Sequence, residues 1–245
     1  MAELVDAQVS GTCGSNVVEV RVFFRAPSFV IKVFAMTVTL HQGDIPASLS
    51  FGAAVAVDTE SMGLAWERDR LCVVQLSSGD GNAHLVQFKK DEYDAPNLKK
   101  LLEDPETVKI FHYARADMAV LAHYLDVMVG PVYCTKIASV LARTFSDRHG
   151  LKDLCHDLLG VELAKEMQTS DWGASSLTQQ QLDYAASDVL YLHRLRAKLN
   201  EMLIREEREY LADAAFLFLP ARAALDMAGW AQTDIFAHKP VRHVG

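Results

Sequence analysis

Apolar and polar positions divide the chain into an irregular start and a well-patterned remainder. Residues 1–35 mix Gly, Ser and Cys with a Val/Phe run and keep no sustained period. From Phe51 onward the pattern settles. Ala53-Ala54-Val55-Ala56-Val57 is a short apolar run, as in a strand buried on both faces. Leu71 to Leu76 and His84 to Phe88 predict two more strands, joined by the turn formers Ser77-Ser78-Gly79-Asp80-Gly81-Asn82. Three successive strands of this kind predict an antiparallel meander.

Beyond them the spacing alternates. It predicts a helix over Pro96 to Glu103, a strand over Val108 to Phe111, a helix over Ala114 to Tyr124 and a strand over Val127 to Val129. Helices over Lys136 to Thr144 and Leu151 to Leu159 follow. In the second, Leu151, Leu154, Cys155, Leu158 and Leu159 recur at helical spacing, and Gly160 sits where a helix stops. Thr178-Gln179-Gln180-Gln181 fits a capping box, with Leu177 and Leu182 placed as a hydrophobic staple. The helix it opens is predicted to run from Gln179 to near Leu199. A further helix runs from Glu201 into the apolar Leu211 to Leu219 stretch and is expected to end at Pro220. Strands first, then alternation, then helices imply an α/β layered fold.

The predicted organisation is an extension over 1–35, one domain over 36–215 and a C-terminal tail over 216–245. Two readings stay open for the extension. One is a poorly ordered natural segment. The other is a mis-annotated start with Met36 as initiator, because Val20-Arg21-Val22 can be encoded by a sequence resembling the T-arm of a tRNA gene.

Composition narrows the class. Of 245 residues half are hydrophobic, enough for one sizeable core. Four scattered cysteines form no CxxC pair, which excludes zinc-site spacing and argues against a disulfide framework. A reduced, cytoplasmic protein is expected. Formal net charge is −8, which excludes coating nucleic acid by bulk electrostatics but permits a local metal cluster. The apolar stretch Phe29 to Leu40 is interrupted by Lys32 and too short to cross a bilayer. Acidic Glu3 and Asp6 precede it, unlike a secretory signal. No membrane partner is expected, and oligomeric state is left open.

Three short segments carry candidate chemistry. Val57-Asp58-Thr59-Glu60 ends an apolar strand with carboxylates at i and i+2, which alternation places on one face. Two like charges there are costly unless a cation lies between them. Phe111-His112-Tyr113-Ala114-Arg115-Ala116-Asp117 leads a strand into a helix whose first turns carry Asp117. Tyr184-Ala185-Ala186-Ser187-Asp188 puts Tyr184 and Asp188 one turn apart on one helical face. Each alone has an ordinary structural explanation.

Their order and spacing together closely resemble the DEDD exonuclease superfamily and, within it, the ribonuclease D family. The motifs Asp-x-Glu, His-x-Ala-x-x-Asp and Tyr-x-x-x-Asp are matched by Asp58 and Glu60, by His112, Ala114 and Asp117, and by Tyr184 and Asp188. Lys165 to Trp172 also resembles the family's Lys-x-x-Gln-x-Ser-Asp-Trp stretch. Tyr184 marks the tyrosine subtype, since the position used by the histidine subtype holds Asp183. Cys134 departs from the family's usual Asp at a place that is not a metal ligand. The resemblance runs from about Ala53 to Leu199 and implies a compact, catalytic-domain-only form.

The resemblance implies a ribonuclease H-like mixed sheet, an antiparallel meander followed by parallel strands, flanked by helices. It implies hydrolysis of phosphodiester bonds from 3′ ends with two divalent cations, Mg²⁺ or Mn²⁺, about 3.5–4 Å apart. Asp58, Glu60, Asp117 and Asp188 would hold them and Tyr184 would orient the attacking water. Met62 and Leu64 are expected against the terminal base, and His112, Lys165 and Gln168 against sugar or phosphate. For Trp172 core packing is preferred over base stacking. The expected partner is nucleic acid, with RNA favoured and DNA or short oligonucleotides as alternatives. A non-catalytic binding module on the same fold is the competing class.

Overall fold

The computed structural model describes residues 37–163 and 170–238. Strands β1 (Thr37–Gln42), β2 (Ala54–Ser61), β3 (Leu71–Ser77), β4 (Asn82–Gln87), β5 (Val108–Phe111) and β6 (Val132–Cys134) form one sheet in the order β1-β4-β3-β2-β5-β6. Strands β2, β3 and β4 pair antiparallel, as the turn-linked apolar runs predict. Strand β1 joins β4 in parallel, and β5 and β6 extend β2 in parallel. This is the mixed, ribonuclease H-like sheet. Every residue of β3 is buried, because the strand lies inside the sheet with both faces covered.

The helices are α1 (Pro96–Glu103), α2 (Ala114–Leu125), α3 (Thr135–Ala142), α4 (Leu151–Leu154), α5 (Gln179–Leu190), α6 (Leu192–Arg205) and α7 (Glu209–Leu225). Helix α5 packs across β2, β3 and β4, while α7 packs on α2 and β6. Helix α4 continues as a π-helical turn over Cys155–Leu159, and Gly160 closes it at φ +67°, where glycine avoids a Cβ clash. The capping box forms as predicted. The Gln181 amide donates to Thr178 Oγ1 at 3.3 Å, and the Thr178 amide donates to Gln181 Oε1 at 2.9 Å.

Several elements differ from the sequence expectation, among them the helix expected from Glu201, which starts at Glu209 because Glu201 to Arg205 completes α6. Val127 to Val129 pairs with no strand. Pairing with β5 starts only where the Lys109 amide donates to Pro131 O, so Val132–Cys134 takes the edge instead. Val127 and Val129 are nevertheless buried and Met128 is exposed, which is why the alternation looked like a strand. The helix expected from Gln179 to Leu199 breaks at Tyr191, where α5 ends and α6 begins. Helix α7 runs through Pro220, and through residue 215, to Leu225. A proline inside a helix costs about 3 kcal/mol. Buried Ala212, Phe216, Leu219 and Ala223 form one face on both sides of it, and their packing offsets that cost. The expectations for 1–35 and for the end of the tail lie outside the described residues.

Buried polar groups tie the sheet's ends together. Lys109 is fully buried in β5. Its ammonium donates to Asp104 O (2.6 Å), Thr107 O (2.8 Å) and Gly130 O (2.6 Å), joining the turns that flank β5. No helix among the described residues is long and apolar enough to cross a membrane. Lys109→Met keeps the aliphatic stem but leaves three carbonyls without that donor. It is expected to lower unfolding stability in urea by about 3 kcal/mol, given roughly 1–3 kcal/mol for each buried polar group left unsatisfied.

Candidate active site

Strand β2 carries buried Val55, Ala56 and Val57 and then emerges at Asp58, Thr59 and Glu60. It lies between β3 and β5; β5 pairs with Ala54 to Ala56, and β3 continues alongside Asp58, Thr59 and Glu60. Alternation puts Asp58 and Glu60 on the face covered by α5, and Thr59 on the other. Helix α5 brings Asp188 to the same place. Oxygens of Asp58, Glu60 and Asp188 all lie within 4.8 Å of one another. Asp117, on the first turns of α2, is buried and accepts a hydrogen bond from the Thr59 hydroxyl at 2.6 Å. Thr59 therefore locks the second motif to the first.

Crowding and burial shift the acids upward. Burial raises the Asp58 carboxyl to about 7. Burial, then the neighbouring charges of Asp58, Asp188 and Asp117, raise Glu60 to about 10. Asp117 and Asp188 are also held well above the usual carboxylate range, first by burial and then by Asp58. Tyr184 lies one turn before Asp188 and lines the same groove. Its phenol is pushed further up by burial and by Asp188, Glu60 and Asp58, so it keeps its proton at neutral pH.

The second motif is held by a left-handed residue. Tyr113 caps α2 at φ +67°, an uncommon conformation for a residue with a Cβ. It turns the chain sharply from β5 into α2. Its half-exposed ring has the Lys136 ammonium 4.0 Å from its centroid. Beside it, His112 Nδ1 lies 2.9 Å from Thr135 Oγ1, while that hydroxyl donates to Phe111 O at 3.1 Å. With its single proton used, the hydroxyl accepts from His112 Nδ1–H, which leaves Nε2 as an acceptor. Burial, then the Lys136 charge, lowers His112 to about 4, so the ring is neutral at pH 7.

A groove of about 1220 Å³ contains the carboxylates, Tyr184 and His112. Met62 and Leu64, the residues expected against the terminal base, line the groove and are exposed. Gly173 admits Met62, since a Cβ there would meet its sulfur at 2.6 Å. Trp172 is buried in the core, with its ring 6.1 Å from that of Tyr184. Lys165 and Gln168 lie outside the described residues.

Several groove residues escaped the sequence reading. Lys152 lines the groove from the start of α4, and Asp226, Ala231 and Gln232 line it from the C-terminal side. Arg115 pairs with Asp226 through both guanidinium branches and donates to Ala231 O at 2.8 Å. Arg222 reaches the same Asp226 carboxylate at 2.7 Å. No local pattern marks a pairing between residues 111 positions apart. For Lys152 the only available hint was a basic residue opening an amphipathic helix.

A family model described as 3′–5′ exonuclease matches residues 43–204. The chain belongs to this 3′–5′ exonuclease family. Within it, the chain is similar to Brucella melitensis NrnC, at 54% identity and TM-score 0.81 over 83% of this chain and 99% of that one. Structures of NrnC bound to pGG and with bound Mg²⁺ superpose equally well, with TM-scores of 0.81 and 0.80. Ribonuclease D of Gluconacetobacter diazotrophicus is 35% identical over 169 residues, which is 68% of this chain and 42% of that protein. Escherichia coli RNase D, at 26% identity, gives a TM-score of 0.62 over 70% of this chain and 45% of that one. The chain spans about two fifths of the length of the ribonuclease D relatives it matches.

The raised acids give a sign for the pH dependence of the metal-free protein. Between the ordinary Asp value and about 7, folded Asp58 holds a proton that the unfolded chain has released. The folded state then binds more protons, so stability falls as pH rises. Thermal unfolding in EDTA is expected to show a lower midpoint at pH 8 than at pH 5.5. Saturating Mg²⁺ is expected to reverse that trend, because it binds the ionised site.

Proposed function

We propose that the chain is a divalent-metal-dependent 3′–5′ exoribonuclease whose catalytic residues are Asp58, Glu60, Asp117, Tyr184 and Asp188. The observation that carries this reading is the convergence of the carboxylate oxygens of Asp58, Glu60 and Asp188, with Asp117 bound to the intervening Thr59. An all-oxygen donor set of hard carboxylates fits Mg²⁺ or Mn²⁺ rather than zinc. The bound Mg²⁺ in the NrnC structure supports that fit. Two such cations would supply a nucleophilic water at neutral pH and neutralise charge on the leaving 3′ oxygen.

The protein's own groups set the geometry. A water attacking phosphorus must keep one lone pair free, so its hydrogens are what the protein can hold. The Tyr184 oxygen can accept one of them, and its retained phenolic proton is available to a phosphoryl oxygen. The bond from the water oxygen to phosphorus forms as the bond to the 3′ oxygen breaks. The attacking water gives up one proton to solvent and the released 3′ oxygen takes one up, giving a nucleoside 5′-monophosphate and a strand one unit shorter.

Substrate contacts follow from the groove. Neutral His112 presents Nε2 as a hydrogen-bond acceptor, which suits a sugar hydroxyl and not a phosphate. That favours RNA, because a 2′-hydroxyl gives such an acceptor something to read. Met62 and Leu64 offer an apolar rim for the terminal base and Lys152 a contact to the backbone, while Lys165 and Gln168 are proposed for sugar or phosphate on the family motif alone. The pGG bound to NrnC supports very short oligonucleotides as a substrate class for this chain as well. A non-catalytic binding module is disfavoured by the presence of all four carboxylates together with Tyr184.

End-labelled RNA and DNA of matched sequence test the reading. Ladders shortening from the 3′ end with Mn²⁺, abolished by EDTA, are expected, whereas internal cuts would contradict it. Asp58→Ala and Asp188→Ala are each expected to abolish turnover at any useful Mg²⁺ concentration. His112→Phe is expected to lower kcat/KM on RNA about tenfold more than on DNA, the worth of one hydrogen bond near 1.4 kcal/mol. An equal loss on both substrates would exclude His112 as a reader of the 2′-hydroxyl.

A further inference from the structure

Gln75 lies in the middle of β3 and is fully buried. Neither its amide nitrogen nor its amide oxygen has a hydrogen-bond partner among the described residues. A buried polar group left in this way costs about 1–3 kcal/mol, and the side chain carries two. All its neighbours along β3 from Leu71 to Leu76 are apolar, so a leucine at 75 would continue the strand without that cost.

The register shows what lies beside it. Gln75 is directly opposite Asp58 on β2 and opposite Leu85 on β4. Directly opposed residues of an antiparallel pair project from the same face, with Cβ atoms about 4.5–5.5 Å apart. Gln75 therefore shares with Asp58 and Glu60 the face that α5 covers, where α5 buries Ala185, Ala186 and Val189 together with Gln181, whose amide is already engaged with Thr178, Ser170 and Asp171. Of the two cross-strand partners one is apolar, and the other is the carboxylate at the centre of the acid cluster.

We propose that Gln75 is a positioning residue of the metal site, whose buried amide N–H, unpartnered in the metal-free chain, donates to the Asp58 carboxylate when a cation is bound and turns its other oxygen toward that cation. This rests on Asp58 being a metal ligand. A donor fixed behind a ligating carboxylate restricts its rotation and favours its ionised form. The cost of burying the amide unpartnered is then offset when the site is loaded. Gln75 makes no contact with substrate in this scheme and acts through Asp58 alone.

The test uses the full chain without substrate. Mn²⁺ affinity is measured by calorimetry for wild type, Gln75→Leu, Gln75→Met and Asp58→Ala, and unfolding in urea is followed for each in EDTA. Both Gln75 variants are expected to bind Mn²⁺ ten- to a hundredfold more weakly, as roughly expected on removing a group that orients a ligand. Their metal-free stability should equal or exceed that of wild type, because the unpartnered amide is gone. An affinity within about twofold of wild type overturns the proposal, since a supporting donor is worth at least about tenfold. Loss of folding in EDTA by both variants also overturns it, because the amide would then serve the fold and not the metal. If Asp58→Ala binds Mn²⁺ as wild type does, the assignment of Asp58 itself fails, and that result is distinct from either of the others.

Discussion

Four carboxylates, two from the end of one apolar strand and one each from α2 and α5, line one groove, and their charges oppose one another. Burial opposes charge on every one of them, and in such surroundings their mutual repulsion is only weakly screened. A flexible loop would relieve that repulsion by moving apart. Strand β2 cannot, because β3 pairs with it along Asp58 to Glu60 and the preceding Val55, Ala56 and Val57 are fully buried. The remaining acids are pinned just as firmly, Asp117 by Thr59 and Asp188 by a helix whose start is fixed by a capping box. The fold thus holds together acids that oppose one another's ionisation, a cost that the surrounding structure sustains.

The regular parts of this scaffold were readable from local pattern. Apolar runs and turn formers located β2, β3 and β4, and the Thr178 and Gln181 pair located the start of α5. The carboxylates and Tyr184 were readable because their spacing matches a shared chemical arrangement, and the groove does bring them together. The misses have physical causes. Pro220 was taken as a stop because local propensity opposes it, but the face formed by Ala212, Phe216, Leu219 and Ala223 packs strongly enough to carry the helix through. The Val127 to Val129 alternation reflects burial without pairing, which periodicity cannot distinguish. Thr59 and Thr135 gave no signal because their importance lies in the distant residues they bond, Asp117 and His112.

The groove is built from two kinds of material. The acid cluster, Tyr184 and His112 come from the stretch that matches the family model. Asp226, Ala231 and Gln232 lie beyond residue 204, where that match ends. Relatives can therefore share the chemistry of bond cleavage and still differ along one wall of the groove, consistent with function residing in a site grafted onto a common fold.

The double salt bridge at Asp226 has a dynamic consequence. Arg115 sits two residues before Asp117 on α2, and Arg222 sits on α7, yet both hold the same carboxylate. Fraying of the C-terminal turn would strip Arg115 of its partner within a helical turn of an acid-cluster residue. Amide protons of the 226–231 turn and of the first turn of α2 then belong to one cooperative opening unit rather than two. The C-terminal end of the described chain is in this sense tethered to the centre of the molecule, and its local stability is shared with the helix that presents Asp117.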